Sequence, residues 1–256
     1  YLKGVMVMEN LKVKSMNIDL SLDKNIITIM GPSNSGKTYF LKKMINIIPN
    51  EDVLLDGISI KEYDITYLKN NIVVVLDDDD FKCEFVAEEL YYYISKLGYR
   101  IDEITNKINV LSETFKIKKL LSERIDLLPL EKRILIKILS YLIIKPKIIG
   151  IDNLLVYLDE LDKNILLDYI KTDEIILLNA SNNGEDLLIS EDVLLLNDMK
   201  CIFNGDKKEL LNGNTILPYM GINLPFTADL SQNLVLYGII TKVYLDDKKL
   251  VSKIWK

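Results

Sequence analysis

The chain has 256 residues, of which 49% are apolar and 27% charged, enough for a substantial core and too much for a wholly disordered polypeptide. Lys and Arg total 32 against 38 Asp and Glu, a net charge of −6, which argues against a nucleic-acid binder held by phosphate neutralisation. Histidine is absent, which removes His-based hydrolase triads, His-ligated zinc and imidazole proton shuttles.

In chain order, Asn25–Met30, Asn71–Leu76, Lys147–Asp152, Glu174–Asn179 and Val193–Leu196 are unbroken apolar, β-branched runs of strand length. Runs without alternation suit a parallel sheet covered on both faces. Between them, apolar spacing predicts helices over Lys37–Ile48, Phe85–Lys96, Ile101–Phe115, Leu130–Ile144 and Asp159–Lys171. The alternation predicts an α/β fold with a mainly parallel sheet. It is broken between about residues 78 and 145, where only helices are expected, as an inserted helical subdomain of a domain spanning 1–213. Past Asn212-Gly213-Asn214 the pattern shifts to two short helices, a tail over 214–256. The most apolar window, Ile134–Ile151, is interrupted by Lys137, Lys145, Pro146 and Lys147 and cannot span a bilayer. Cys83 and Cys201 are too few and too far apart for a metal cage or disulfide framework and favour a reducing, cytosolic setting. The chain begins at Tyr1 rather than Met, leaving room for residues ahead of it, and Tyr1–Gly4 lack the apolar stretch of a signal peptide.

The sharpest motif is Gly31-Pro32-Ser33-Asn34-Ser35-Gly36-Lys37-Thr38, which follows a predicted strand and opens a predicted helix. That context is what a phosphate-binding loop requires, with backbone N–H groups cradling phosphates at a helix N-terminus. Lys37 would reach the β- and γ-phosphates of ATP, and Thr38 would ligate Mg²⁺. Asn34 is tolerable in a left-handed loop position. A second carboxylate for Mg²⁺ is expected at the end of a neighbouring strand, and Asp152 ends Lys147–Asp152.

With Leu158-Asp159 after Asp152, the helical insertion, and an Asp56-Gly57 turn, the chain resembles the nucleotide-binding subunits of ABC transporters, a P-loop NTPase fold with antiparallel strands near its N-terminus. The tail, Met220-Gly-Ile-Asn-Leu-Pro-Phe226 with Leu230 and Leu234–Ile239, resembles the C-terminal dimerisation extension of energy-coupling-factor importer ATPases. This resemblance implies ATP and Mg²⁺ as cofactors, a transmembrane transporter subunit and a second ATP-binding subunit as partners, in a homo- or heterodimer, and a peripheral place on the cytoplasmic face of the cell membrane. Asp78, Asp79, Glu84 and Glu88 would then face arginines of the membrane partner, while Tyr91–Tyr93 read as helix core.

Departures from the family fall on chemistry. Asn153 stands where the family has the glutamate that activates water, and an amide accepts no proton at neutral pH. Asn182 falls at the switch histidine and Asp77 at the glutamine that follows the preceding core strand. Counting without gaps places the glycine-rich signature on Leu128-Pro129-Leu130-Glu131-Lys132; a two-residue gap aligns Arg133 instead, and neither register recovers a glycine. No aromatic that could stack on adenine occurs between Leu2 and Met30, leaving Tyr1 as a remote candidate. The expected function is therefore an ATP-binding subunit of an importer of a vitamin, metal ion or other small nutrient, with impaired hydrolysis. The alternative is a non-hydrolysing structural or regulatory ATP-binding subunit paired with a competent ATPase. A soluble ABC ATPase of DNA repair or translation fits less well, for the chain has neither tandem cassettes nor long coiled coils.

Overall fold

The computed structural model describes residues 8–211 and 216–255. The expected tail boundary at 213/214 and the aromatic Tyr1 lie outside them. The strands are β1 (Asn10–Val13), β2 (Ile18–Ser21), β3 (Ile26–Met30), β4 (Val53–Leu55), β5 (Ile58–Ser59), β6 (Ile72–Val75), β7 (Ile148–Asp152), β8 (Ile176–Ser181), β9 (Asp192–Asn197) and β10 (Lys200–Asp206). They form a six-stranded sheet in the order β10-β9-β3-β8-β7-β6 and a four-stranded sheet in the order β2-β1-β4-β5. The larger sheet is parallel from β9 to β6, with β10 antiparallel at one edge. The smaller sheet is antiparallel throughout. Its β4–β5 hairpin turns through Asp56 and Gly57 at φ 51° and 79°, the left-handed pair that a two-residue hairpin needs.

Every residue of β3, β6 and β7 is buried, as the apolar runs demand, yet alternate residues still serve different layers. Val73 and Val75 of β6 face α3 (Val86–Ser95), α4 (Ile101–Thr114), α5 (Leu130–Leu142) and α6 (Glu160–Thr172) in one continuous cluster. Ile72 and Val74 face the other way, toward α1 (Lys37–Met44) and the small sheet, through Phe40, Leu41, Leu11 and Leu55. The short α2 (Ile65–Asn71) leads into β6, capped by Asp64, whose carboxylate accepts the N–H groups of Thr66 and Tyr67. Helix α1 stops at Met44, short of the expected Ile48, because Asn46 turns left-handed at φ 59° and Pro49 keeps Ile48 out of helical geometry.

After α7 (Lys207–Leu211), the C-terminal segment holds three described helices rather than two: α8 (Ile216–Tyr219), α9 (Phe226–Leu236) and α10 (Asp247–Ile254). The sequence offered no strand for it to cover, but Leu217, Ile222 and Ala228 are buried against Met30 of β3 and Val193 and Leu195 of β9. Glu185 fixes the docking by accepting the Phe226 N–H at 2.8 Å. A Cβ built on Gly184 would overlap the backbone carbonyl of Asn223. Gly184→Ala should therefore cost about 1–3 kcal/mol and open the 221–225 segment to limited proteolysis; a cleavage pattern identical to wild type would contradict this close packing.

Tyr91–Tyr93 correct the expectation of a helix core. Tyr91 is exposed, while Tyr92 and Tyr93 are half-buried. The Tyr93 hydroxyl accepts from that of Tyr141 at 2.8 Å, and both rings border an apolar groove beside β6.

Candidate functional site

The parallel strands all end on one side of the sheet, where loops of a doubly wound fold bind ligands. Gly31–Gly36 leaves β3 there and enters α1 through Gly36, at φ 106°. A Cβ on Gly31 would overlap the Leu196 carbonyl and the Ser35 hydroxyl, so only glycine allows the loop to close on β9. Asn34 is left-handed at φ 63°. No side chain caps α1, so the N–H groups of its first turn are left to face whatever lies in the loop.

Lys37 curls over this loop. Its Nζ donates to the carbonyls of Gly31 at 2.7 Å and Pro32 at 2.9 Å and lies 3.4 Å from Ser35 Oγ. Burial lowers its pKa to about 8, against the opposing pull of Asp152. Above that pH the free side chain is neutral, so capturing an anion there requires uptake of a proton. Apparent affinity of the loop for a phosphate-bearing anion should thus fall as pH rises from 8 to 9.5, approaching about tenfold per unit. A flat profile over that range would contradict a phosphate role for Lys37.

Thr38 Oγ1 donates to Asp152 Oδ2 at 2.7 Å, joining the loop to the end of β7 although β8 lies between β3 and β7. Asp152 is buried, and its carboxyl is pushed up chiefly by that burial; the Thr38 hydrogen bond opposes the rise, the charges of Asp77 and Asp78 add to it, and Lys37 counters. The hydroxyl and carboxylate are hard oxygen donors that fit a small divalent cation. No group of three or more His, Cys, Asp or Glu able to hold a metal occurs among the described residues. A cation here would need phosphate oxygens as further ligands.

Asp77, Asn153 and Asn182 follow the adjacent strands β6, β7 and β8 and so reach the same edge. Asn153 sits at φ 53° and donates its N–H to Ala180 O at 2.8 Å. Asn182 is exposed. The Asp77 side chain is exposed, and its carbonyl accepts from Lys137 Nζ at 3.2 Å. Leu128–Lys132 forms the entry to α5 with Pro129 at the N-cap. Lys132 pairs with Asp162 and, at 3.4 Å, with Asp159. In the acidic loop Asp78 pairs with Lys42 and Glu84 with Arg124, both carboxylates staying exposed, and Asp79 Oδ2 accepts the Leu76 N–H at 3.2 Å and lies 3.2 Å from the Tyr141 hydroxyl. Glu88 is exposed.

Sequence reasoning missed two residues of the cleft in front of the loop. Asn34–Tyr39 line it together with Met199. Met199 lies on the β9–β10 turn and donates its N–H to Ser35 O at 3.0 Å. Tyr39 was readable as an aromatic directly after Thr38; nothing in the sequence marks Met199.

The ABC transporter family model matches residues 13–155, more than half of the chain. The chain belongs to the ABC transporter family. A match over this length places the loop, Asp152 and the helical insertion within an ABC ATP-binding domain. The energy-coupling factor transporter ATP-binding protein EcfA of Pediococcus pentosaceus is 24% identical over 238 residues, covering 90% of this chain and 85% of that protein. A putative ABC transporter ATP-binding protein of Pyrococcus abyssi is 25% identical over 259 residues, covering 94% and 91%. Among solved structures, CbiO1 from Clostridium perfringens, described as part of the ABC transporter complex CbiONQ, superposes with a TM-score of 0.70 at 18% identity, covering 87% of this chain and 98% of that one. That superposition fixes the ABC ATPase fold. No described helix is long and apolar enough to cross a membrane.

Proposed function

We propose that this ABC protein is the ATP-binding subunit of an energy-coupling-factor-type importer, bound peripherally to the cytoplasmic face of a membrane subunit and paired with a second ATP-binding chain, and that it binds MgATP but hydrolyses it poorly. The observation that carries the reading is the Thr38–Asp152 contact at 2.7 Å beneath a loop closed by Gly31 and Lys37. Mg²⁺, held by Thr38 and Asp152, would neutralise charge between the β- and γ-phosphates. The loop N–H groups and Lys37 would orient the triphosphate. Asn153 and Asn182 supply neither a proton acceptor nor a cation beside it, which also favours the alternative of a non-hydrolysing partner to a competent ATPase.

The importer assignment is supported by the near full-length likeness to proteins named for energy-coupling factor transport. It is supported further by the exposed side of the tail. Phe226 is 71% and Leu236 82% exposed, with Leu230 and Tyr237 also open, whereas Leu224 and Leu234 are half-buried. The transported substrate would be a vitamin, metal ion or other small nutrient recognised by the membrane subunits. Tagged chain purified from detergent-solubilised membranes of its own cells should carry an integral membrane protein in stoichiometric amount; recovery solely as a free chain would contradict the assignment. Phe226→Asp/Leu230→Asp should weaken that assembly in sedimentation while leaving MgATP binding intact, and unaltered association would reduce the tail to a folded-back cover.

A further inference from the structure

We infer that the base of a bound nucleotide packs on the phenol ring of Tyr39, with Met199 as a second apolar wall, an inference that rests on the loop's being a nucleotide site. The cleft in front of the loop is about 240 Å³, lined by Asn34–Tyr39 and Met199. Its polar floor is supplied by Lys37, Thr38 and the N–H groups of the first turn of α1. Its apolar side chains are Tyr39 and Met199, which are 37% and 44% exposed. An aromatic ring is the natural platform for a base, and a thioether is a polarizable neighbour for one.

Both groups are held in place. Met199 is left-handed at φ 59°, in a hairpin turn anchored to Ser35 O, and a Cβ on Gly36 would come within 3.1 Å of its Cα. Lys43 Nζ lies 5.5 Å from the Tyr39 ring centroid. Lys43 in turn pairs with Asp52, whose carboxylate accepts the N–H and hydroxyl of Ser15. The ring is thus set on the side of α1 that faces the Ser15 turn. That turn offers no ring of its own, since residues 8–30 contain no aromatic. Its Ser15 carbonyl accepts from Lys200 Nζ at 2.6 Å. Stacking on one phenol recognises any base by its π-face, so ATP and GTP should bind within a few-fold of each other.

Titration calorimetry of the full chain with MgATP, MgGTP and inorganic tripolyphosphate tests this directly. Tyr39→Ala should weaken both nucleotides by about ten- to a hundredfold while leaving tripolyphosphate unchanged, and Tyr39→Phe should bind as wild type. Unchanged nucleotide affinity in Tyr39→Ala would overturn the assignment, as would an equal loss for tripolyphosphate. Failure of wild type to bind either MgATP or tripolyphosphate would instead overturn the phosphate-loop reading beneath it, as would Lys37→Ala binding all three ligands unimpaired.

Discussion

The isolated chain is expected to release phosphate from MgATP about 10²–10⁴-fold more slowly than the ~1–10 s⁻¹ of an ordinary enzyme. That factor is what a positioned general base contributes, and on the proposed reading Asn153, next to Asp152, stands where that base would be. Asn182, at the proposed switch position, would remove a second polar contact to the γ-phosphate, and the two losses need not add because they serve one water and one phosphate. Asn153→Glu/Asn182→His should still fail in a homodimer. On the same proposal each site would also need a signature segment from the opposite chain, and Leu128–Lys132, the proposed segment, would bring Pro129 without an N–H, a bulky Leu130 and a like-charged Glu131. Lys132, held by Asp159 and Asp162, is not free to swing toward a phosphate in their place. Asn153→Glu forces glutamate into the left-handed backbone at φ 53°, so a loss of about 1–2 kcal/mol in stability should accompany it. Mixed with a partner whose signature is intact, the double variant should gain turnover. Brisk phosphate release by wild type, abolished in Lys37→Ala, would contradict the impaired site and would move the base to Asp77, whose charge already acts on Asp152.

MgATP should raise the melting temperature of the wild-type chain by about 5–10 °C at a hundredfold excess over Kd, the equivalent of roughly 2.7 kcal/mol. The shift arises because only the folded chain brings Asp152 to Lys37 and Thr38; along the sequence Asp152 is 114 residues from Thr38. Lys37→Ala should erase the shift, and Asp152→Ala should remove its dependence on Mg²⁺. A shift of the same size in Lys37→Ala would show that nucleotide binds elsewhere.

The parts of the site legible in the sequence are those made by neighbours along the chain. Gly31–Thr38 carries its own strand, turn and helix signals, and Asp152 was found because an apolar run ends on it. What stayed hidden depends on contacts between distant segments. Met199 reaches the loop only because β9 pairs with β3 and its hairpin folds back onto Ser35. The tail reads as an unpartnered apolar stretch until β9 is seen to offer Val193 and Leu195 to it. The Tyr93 hydroxyl accepts from that of Tyr141, on another helix, which no helical periodicity could anticipate. Asp78 and Glu84 of the acidic loop likewise find Lys42 and Arg124 from elsewhere in the fold, pairings invisible along the sequence, while both carboxylates stay at the surface.

Whether the site holds MgATP and hydrolyses it poorly is tested most directly by the identity of the nucleotide that stays bound. Purified chain incubated with excess MgATP, passed rapidly through a desalting column and acid-quenched should carry nucleotide that chromatographs as ATP, with Lys37→Ala carrying none. Bound nucleotide recovered chiefly as ADP, with matching phosphate in solution, would contradict the account.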